Sequence, residues 1–158
     1  SKTLEESPYE IQVGDRTYSV RYWPGESEGE EFGGNSNWRG PVWFPVNYLL
    51  IESLVRFHQY YGDDFLVEAP TGSSRFSNLL EIADDLSARL CRLFLPDEAG
   101  DRPIHGGDRR YREDPHFKDL IHFFEYFDGD TGRGCGANHQ TGWTGLVAKL
   151  ITPRHLRL

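Results

Sequence analysis

An acid set among aromatic residues is the first place in this sequence where chemistry could be done. Glu125 stands in the run His122-Phe123-Phe124-Glu125-Tyr126-Phe127. Burying an ionised carboxylate there is costly unless the surroundings supply charge or hydrogen bonds, so such a group is paired, functional, or turned to the exposed side of its element. Directly after it, Asp128 to Gly136 is a glycine-rich loop in which main chain can approach a ligand. His139 and Gln140 then add polar groups ahead of another apolar stretch. That setting suits a general acid or base acting on a sugar.

A second segment has matching binding chemistry. Gly33 to Tyr48, GGNSNWRGPVWFPVNY, sets Trp38, Trp43 and Arg39 beside Asn35, Asn37 and Asn47. Indole faces stack on the apolar C–H faces of a pyranose, while amide groups and a guanidinium fork meet its hydroxyl belt. The same residues also fit a structural reading. In that reading the tryptophans anchor the start of a buried helix, Asn35 or Ser36 caps it, and Arg39 pairs with one of the many carboxylates. Trp143 falls on an apolar helical face and reads as a core residue.

Taken together, GGNSNWRGPVWFPVNYLLIESL, FFEYFDGDTGRG and HQTGWTGLVAKLI resemble the C-terminal part of the catalytic domain of family 63 glycoside hydrolases. That family includes processing α-glucosidases and bacterial hydrolases of mannosylglycerate and glucosylglycerate. The resemblance runs from about Tyr18 to Ile151 and rests on separate motifs in the same order. It implies an all-α fold, the C-terminal portion of an (α/α)6 toroid with a small β-hairpin at 9–22 and long active-site loops. It also implies an inverting reaction on an α-linked glucoside or mannoside, run by two carboxyl groups.

On that resemblance Glu125 takes the place of the general base. Asn37, Trp38, Arg39 and Trp43 line the sugar subsite, and Gln140 falls near the substrate. The family's general acid is an aspartate well upstream of this segment. The expectation is therefore a C-terminal part of an inverting α-glycosidase that is inactive alone, partnered by the remainder of its catalytic domain or by self-association. A non-catalytic carbohydrate-binding or assembly fragment lacking the acid is the alternative.

Composition narrows the partners. The formal net charge of −8 disfavours nucleic acid and anionic membranes, which reward a concentrated basic surface. The one compact basic run, Arg109, Arg110 and Arg112, is followed at once by Glu113 and Asp114. No stretch is apolar enough to span a bilayer and the first residues do not form a signal peptide, so a cytoplasmic location is expected. Cys91 and Cys135 read as free thiols rather than a disulfide framework.

No metal or cofactor is expected. Asp128-x-Asp130-x-Gly132 resembles the opening of a calcium loop, but His139 stands where the bidentate glutamate belongs. The histidines and cysteines lack zinc-site spacing, and the glycines of 132–136 lack the lysine that ends a phosphate loop.

The elements that must position these groups can be read from periodicity. Tyr9 to Tyr22 alternates around Gly14-Asp15 as a hairpin. A helix is predicted from about Val42 to Tyr61 with Trp43, Val46, Leu50, Leu54, Phe57 and Tyr61 on its apolar face, ended by Gly62. A second is predicted from about Phe76 to Leu95 with Leu79, Ile82, Leu86, Leu90 and Leu93 inward, and a third from near Thr141 until Pro153. The acidic stretch Glu26 to Glu31 reads as a solvated connector. The long span from Asp97 to Asn138 carries one regular-looking piece, Leu120 to Phe127, and a loop of that length is usually functional.

Overall fold

The computed structural model describes residues 2–26, 29, 38 and 40–152. In chain order its elements are β1 (Tyr9–Val13), β2 (Arg16–Val20), α1 (Phe44–Tyr61), β3 (Leu66–Glu68), β4 (Phe76–Asn78), α2 (Leu79–Arg92), α3 (Arg110–Glu113), β5 (Tyr126–Phe127), β6 (Gly134–Cys135), α4 (Thr141–Thr144) and α5 (Val147–Ile151). The strands form separate antiparallel pairs, β1 with β2, β3 with β4, and β5 with β6. The expected all-α portion of an (α/α)6 toroid is overturned by these sheets. Strands as short as β5 and β6 hold too few residues for a period of two to show, so periodicity reports the helices and misses the strands between them.

Helix α1 starts where its prolines allow. Pro45 lies in the first turn, where a missing N–H costs no helical bond, and Trp43 precedes it in extended conformation without a side-chain cap. The helix stops at Gly62, which takes a positive φ of 77° and donates its N–H to the His58 carbonyl at 2.8 Å. The face it buries is the predicted one only in part: Trp43 is buried with Val46 packed against it, and Leu54 packs on the core. Phe44 and Ile51 are buried, with Tyr48, Leu54 and Val55 packed against them, whereas Leu50, Phe57 and Tyr61 are exposed. Both sets have helical spacing. Packing of α1 on α2 selects between them, which the sequence of one helix does not encode.

Helix α2 begins with a reciprocal cap. Asn78 Oδ1 accepts from the Glu81 N–H at 2.9 Å, and Glu81 Oε2 accepts from the Asn78 N–H at 3.0 Å. Two of the donors left open at a helix start are thereby satisfied. Leu79, Ala83 and Leu90 are buried on its inner face. The first three residues of the predicted helix, 76–78, instead pair with 66–68 as β4.

The core gathers Phe44, Ile51, Ala83, Leu90, Phe94, Ile104, Phe127, Val147 and Leu150. Phe127 stands at its centre, edge-on to Phe44 at 5.4 Å and to Phe94 at 5.9 Å between ring centroids. Burial of one such ring stabilises by about 1.5–3 kcal/mol. The main chain of Phe127 is tied as firmly: Val42 and Phe127 exchange N–H to carbonyl bonds at 2.7 and 2.9 Å. This exchange joins the tryptophan-rich segment to the segment that carries Glu125.

The helix predicted from Thr141 is interrupted at Gly145 and Leu146, giving α4 and α5. The fully buried Thr144 donates its hydroxyl to the Phe124 carbonyl and so fixes α4 against the residue before Glu125. Cys91 and Cys135 are not joined in a disulfide, as expected. Among the described residues no helix is long and apolar enough to cross a membrane.

Candidate active site

Glu125 lies one residue ahead of β5, and its surroundings are built by a bulge. In the β5–β6 register Tyr126 faces Cys135, yet the Glu125 N–H bonds the Ala137 carbonyl, at 2.7 Å. One strand has advanced one residue and the other two, so Gly136 is the extra residue. Gly136 takes a left-handed φ of 67°, as the first position of a glycine bulge requires. A Cβ on it would sit 2.7 Å from Glu125 Oε2 and 2.8 Å from Tyr126 Cε1. Only glycine lets the carboxylate lie this close to the main chain.

The half-buried Glu125 carboxylate accepts the Ala137 N–H through Oε2 at 3.3 Å. Among the described residues its Oε1 has no donor, which leaves lone pairs available to a water or a hydroxyl. The neighbouring Tyr126 turns to the other side of the strand and stacks on Trp43, with centroids 4.6 Å apart and planes at 27°. Trp43 is only 4% exposed, and Trp38 lies 6.1 Å from it with 52% of its surface open. Trp143 closes the group at 6.0 Å from Trp38 and 6.4 Å from Trp43. Trp38 also has a positive φ of 56°, rare for a residue with a bulky side chain. Trp43 is therefore the floor of an aromatic platform and Trp38 its accessible face.

A second carboxylate reaches the same place. Glu26 accepts the Tyr126 hydroxyl through Oε2 at 2.7 Å and the Gly136 N–H through Oε1 at 2.9 Å. The Gly136 N–H, then the Tyr126 hydroxyl, with the charge of Arg133, hold the Glu26 carboxyl below the usual carboxylate range against the opposing effect of partial burial. Glu26, the first residue of the expected solvated connector, is exposed yet held by these two bonds; residues 27, 28, 30 and 31 of that stretch lie outside the described residues. The segment leading to Glu26 is pinned beforehand: Gly129 donates its N–H to the Pro24 carbonyl at 2.6 Å, and the Tyr22 hydroxyl bonds Asp130 at 2.8 Å.

The other residues expected at the site divide plainly. Asn37 and Arg39, like Asn35 and Ser36, lie outside the described residues. Asn47 spends its side-chain amide on the Trp43 carbonyl, 2.8 Å away, and so positions the tryptophan from behind. Gln140 is exposed at the start of α4, its N–H on the Phe123 carbonyl at 2.8 Å. The Asp128 carboxylate accepts the N–H groups of Asp130 and Thr131 at 2.9 and 2.8 Å, which closes the loop on itself.

Among known proteins, the chain is similar to a glucosidase. Over 122 residues it is 25% identical to the mannosyl-oligosaccharide glucosidase of Saccharomyces cerevisiae, covering 76% of this chain and 11% of that protein. It is also 56% identical over 154 residues to an uncharacterized protein of the same yeast, covering 96% of this chain and 14% of that protein. The chain therefore spans a small part of the length of both relatives. No family model matches it, and no solved structure matches it. The similarity to the glucosidase is distant, and it points to a glycosidase-related role.

Sequence reasoning missed Glu26, Tyr126 and Gly136 as members of the site. Glu26 lies in an acidic stretch where nothing local separates it from its neighbours, and its partners Tyr126 and Gly136 stand 100 and 110 positions further along the chain. Gly136 carried a usable signal, since a glycine shortly before polar residues in a strand-like setting marks a bulge or a close approach.

Proposed function

We propose that this chain supplies the general base and part of the sugar subsite for hydrolysis of an α-linked glucoside or mannoside with inversion at the anomeric carbon. The observation that carries the reading is the Glu125 carboxylate, held by one N–H on a glycine bulge next to the Trp43–Tyr126 stack, with Oε1 open among the described residues. The distant similarity to a glucosidase supports the same class of reaction.

In this reading Glu125 Oε1 takes a proton from a water as the water oxygen bonds the anomeric carbon. The bond from that carbon to the leaving oxygen breaks on the opposite face, and a carboxylic acid elsewhere in the complete protein protonates the leaving oxygen. The two carboxyl groups then stand about 6.5–9.5 Å apart, which leaves room for the water. Trp38 stacks on a sugar face, with Trp43 beneath it. Asn37, Arg39 and Gln140 are proposed hydroxyl partners.

In this reading the remainder of a catalytic domain meets an apolar surface of this chain. Leu50, Phe57, Tyr60, Tyr61 and Phe65 are exposed around the outer side and end of α1, an apolar area of the kind that other parts of a protein cover.

The test is Glu125→Gln in the complete protein, assayed on α-linked glucose and mannose disaccharides. Turnover should fall at least about a hundredfold with unchanged circular dichroism, since a positioned base contributes on the order of 10²–10⁴-fold. A complete protein that binds these sugars equally with Glu or Gln at this position and hydrolyses none of them would be a carbohydrate-binding module instead.

A further inference from the structure

One carboxylate brackets the Glu125 site from outside. Glu26 bonds Tyr126, which follows Glu125, and Gly136, which precedes Ala137; Glu125 and Ala137 are themselves joined by two hydrogen bonds. Main chain and hydrogen bonds thus form a closed ring through Glu26, Tyr126, Glu125, Ala137 and Gly136. We propose that Glu26 is a positioning residue for Glu125, fixing where the base carboxylate stands by clamping its neighbour on each strand.

The bulge creates the need for such a clamp. Because Gly136 is the extra residue, its N–H points away from the β5–β6 ladder and requires an acceptor from elsewhere; Glu26 Oε1 provides it at 2.9 Å. Tyr126 is 7% exposed, and its hydroxyl finds the other oxygen of the same carboxylate at 2.7 Å. An ionised acceptor makes both bonds stronger than a neutral one would. Gly136 offers little slack between the two acids: the Glu125 Oε2 lies only 2.7 Å from where a Cβ would be. A shift of Gly136 therefore displaces the Glu125 carboxylate directly. A misplacement of about 1 Å at a reacting group can cost about 10²-fold in rate.

The inference rests on Glu125 acting as the base, and a double-substitution cycle in the complete protein separates the two claims. Kinetics on α-linked glucose disaccharides would be measured for Glu26→Ala, Glu26→Gln, Glu125→Gln and the Glu26→Ala/Glu125→Gln pair. Glu26→Ala should lower kcat about a hundredfold with KM within about threefold. Glu26→Gln, which keeps one acceptor, should fall between it and the parent, and it serves as the second arm if Glu26→Ala does not fold. The pair should lose little beyond Glu125→Gln alone, because a residue acting through the base has nothing left to position.

Losses that multiply in the pair, or a Glu26→Ala enzyme within about twofold of the parent, would overturn the positioning role while leaving Glu125 in place. The same role is overturned if Glu26→Gln replaces the alanine variant and its loss multiplies with Glu125→Gln. A Glu125→Gln enzyme with near-parental kcat would remove the base itself, and this inference with it.

Discussion

Glu26 and Glu125 accept hydrogen bonds from consecutive main-chain N–H groups, Glu26 from Gly136 at 2.9 Å and Glu125 from Ala137 at 3.3 Å. Their roles separate by what else they touch. Glu26 has both oxygens engaged, the second by Tyr126, and is held ionised; Glu125 keeps one oxygen without a donor among the described residues. A carboxylate with both oxygens already bound to the protein is suited to organise a site, and one with an oxygen that no described group binds is suited to face a water.

Gly136→Ala should damage both stability and activity. A left-handed backbone costs a residue with a Cβ about 1–2 kcal/mol, and the new Cβ would meet Glu125 Oε2 at 2.7 Å and Tyr126 Cε1 at 2.8 Å. Urea melts should show a loss of that order, and kcat should drop at least about tenfold by displacement of the base. Unchanged kcat would mean that the Glu125 carboxylate does not need its place on the bulge.

Glu26 should also make stability depend on pH in the acid range. Its folded-state pKa is lowered, first by the Gly136 N–H and then by the Tyr126 hydroxyl, so folding favours the ionised form. Its contribution is fully present above the unfolded carboxyl pKa of about 4.3 and is lost as pH falls through the lower folded-state value. Denaturant midpoints of the parent and Glu26→Gln should therefore differ most at pH 6–7, and the difference should shrink as pH falls below about 4.3 and the Glu26 carboxylate takes up its proton. A difference that grows on acidification would have the wrong sign.

The two tryptophans should part company on mutation. Trp43 is 4% exposed and stacked on Tyr126, so Trp43→Ala should cost about 3–5 kcal/mol of stability, as large-to-small core changes do. Trp38 is 52% exposed, so Trp38→Ala should leave the melting temperature nearly unchanged and weaken kcat/KM on the sugar substrates. Thermal melts and steady-state kinetics on both variants check this. A large stability loss at Trp38 with unaltered kcat/KM would assign it to the fold alone.

What was legible in the residues follows their range of interaction. Helix α1 could be read because Pro45 and Gly62 mark its ends, and α2 because Leu79, Ile82, Leu86, Leu90 and Leu93 recur at helical spacing, although the Asn78 and Glu81 cap starts it later than that spacing suggests. The inward face of α1 could be read only in part: Trp43, Val46 and Leu54 pack inward as expected, but Phe44, Ile51 and Val55 compete with Leu50, Phe57 and Tyr61 at equal spacing, and α2 decides. The all-α expectation failed because β5 and β6 owe their existence to pairing across the chain, with Val42 on one side of β5 and Cys135 on the other. Glu125 was conspicuous through its aromatic neighbours. Glu26 was not, since its role exists only once Tyr126 and Gly136 have been folded against it.

The decisive measurement is the anomeric configuration of the first sugar released by the complete protein from an α-linked glucose disaccharide, followed by proton NMR before mutarotation. A water activated by Glu125 attacks from the face opposite the leaving group, so the β-anomer should appear first, and the Glu125→Gln enzyme should release it at least about a hundredfold more slowly. Release of the α-anomer first, or of the β-anomer at an undiminished rate from Glu125→Gln, would rule out Glu125 as the base of an inverting reaction.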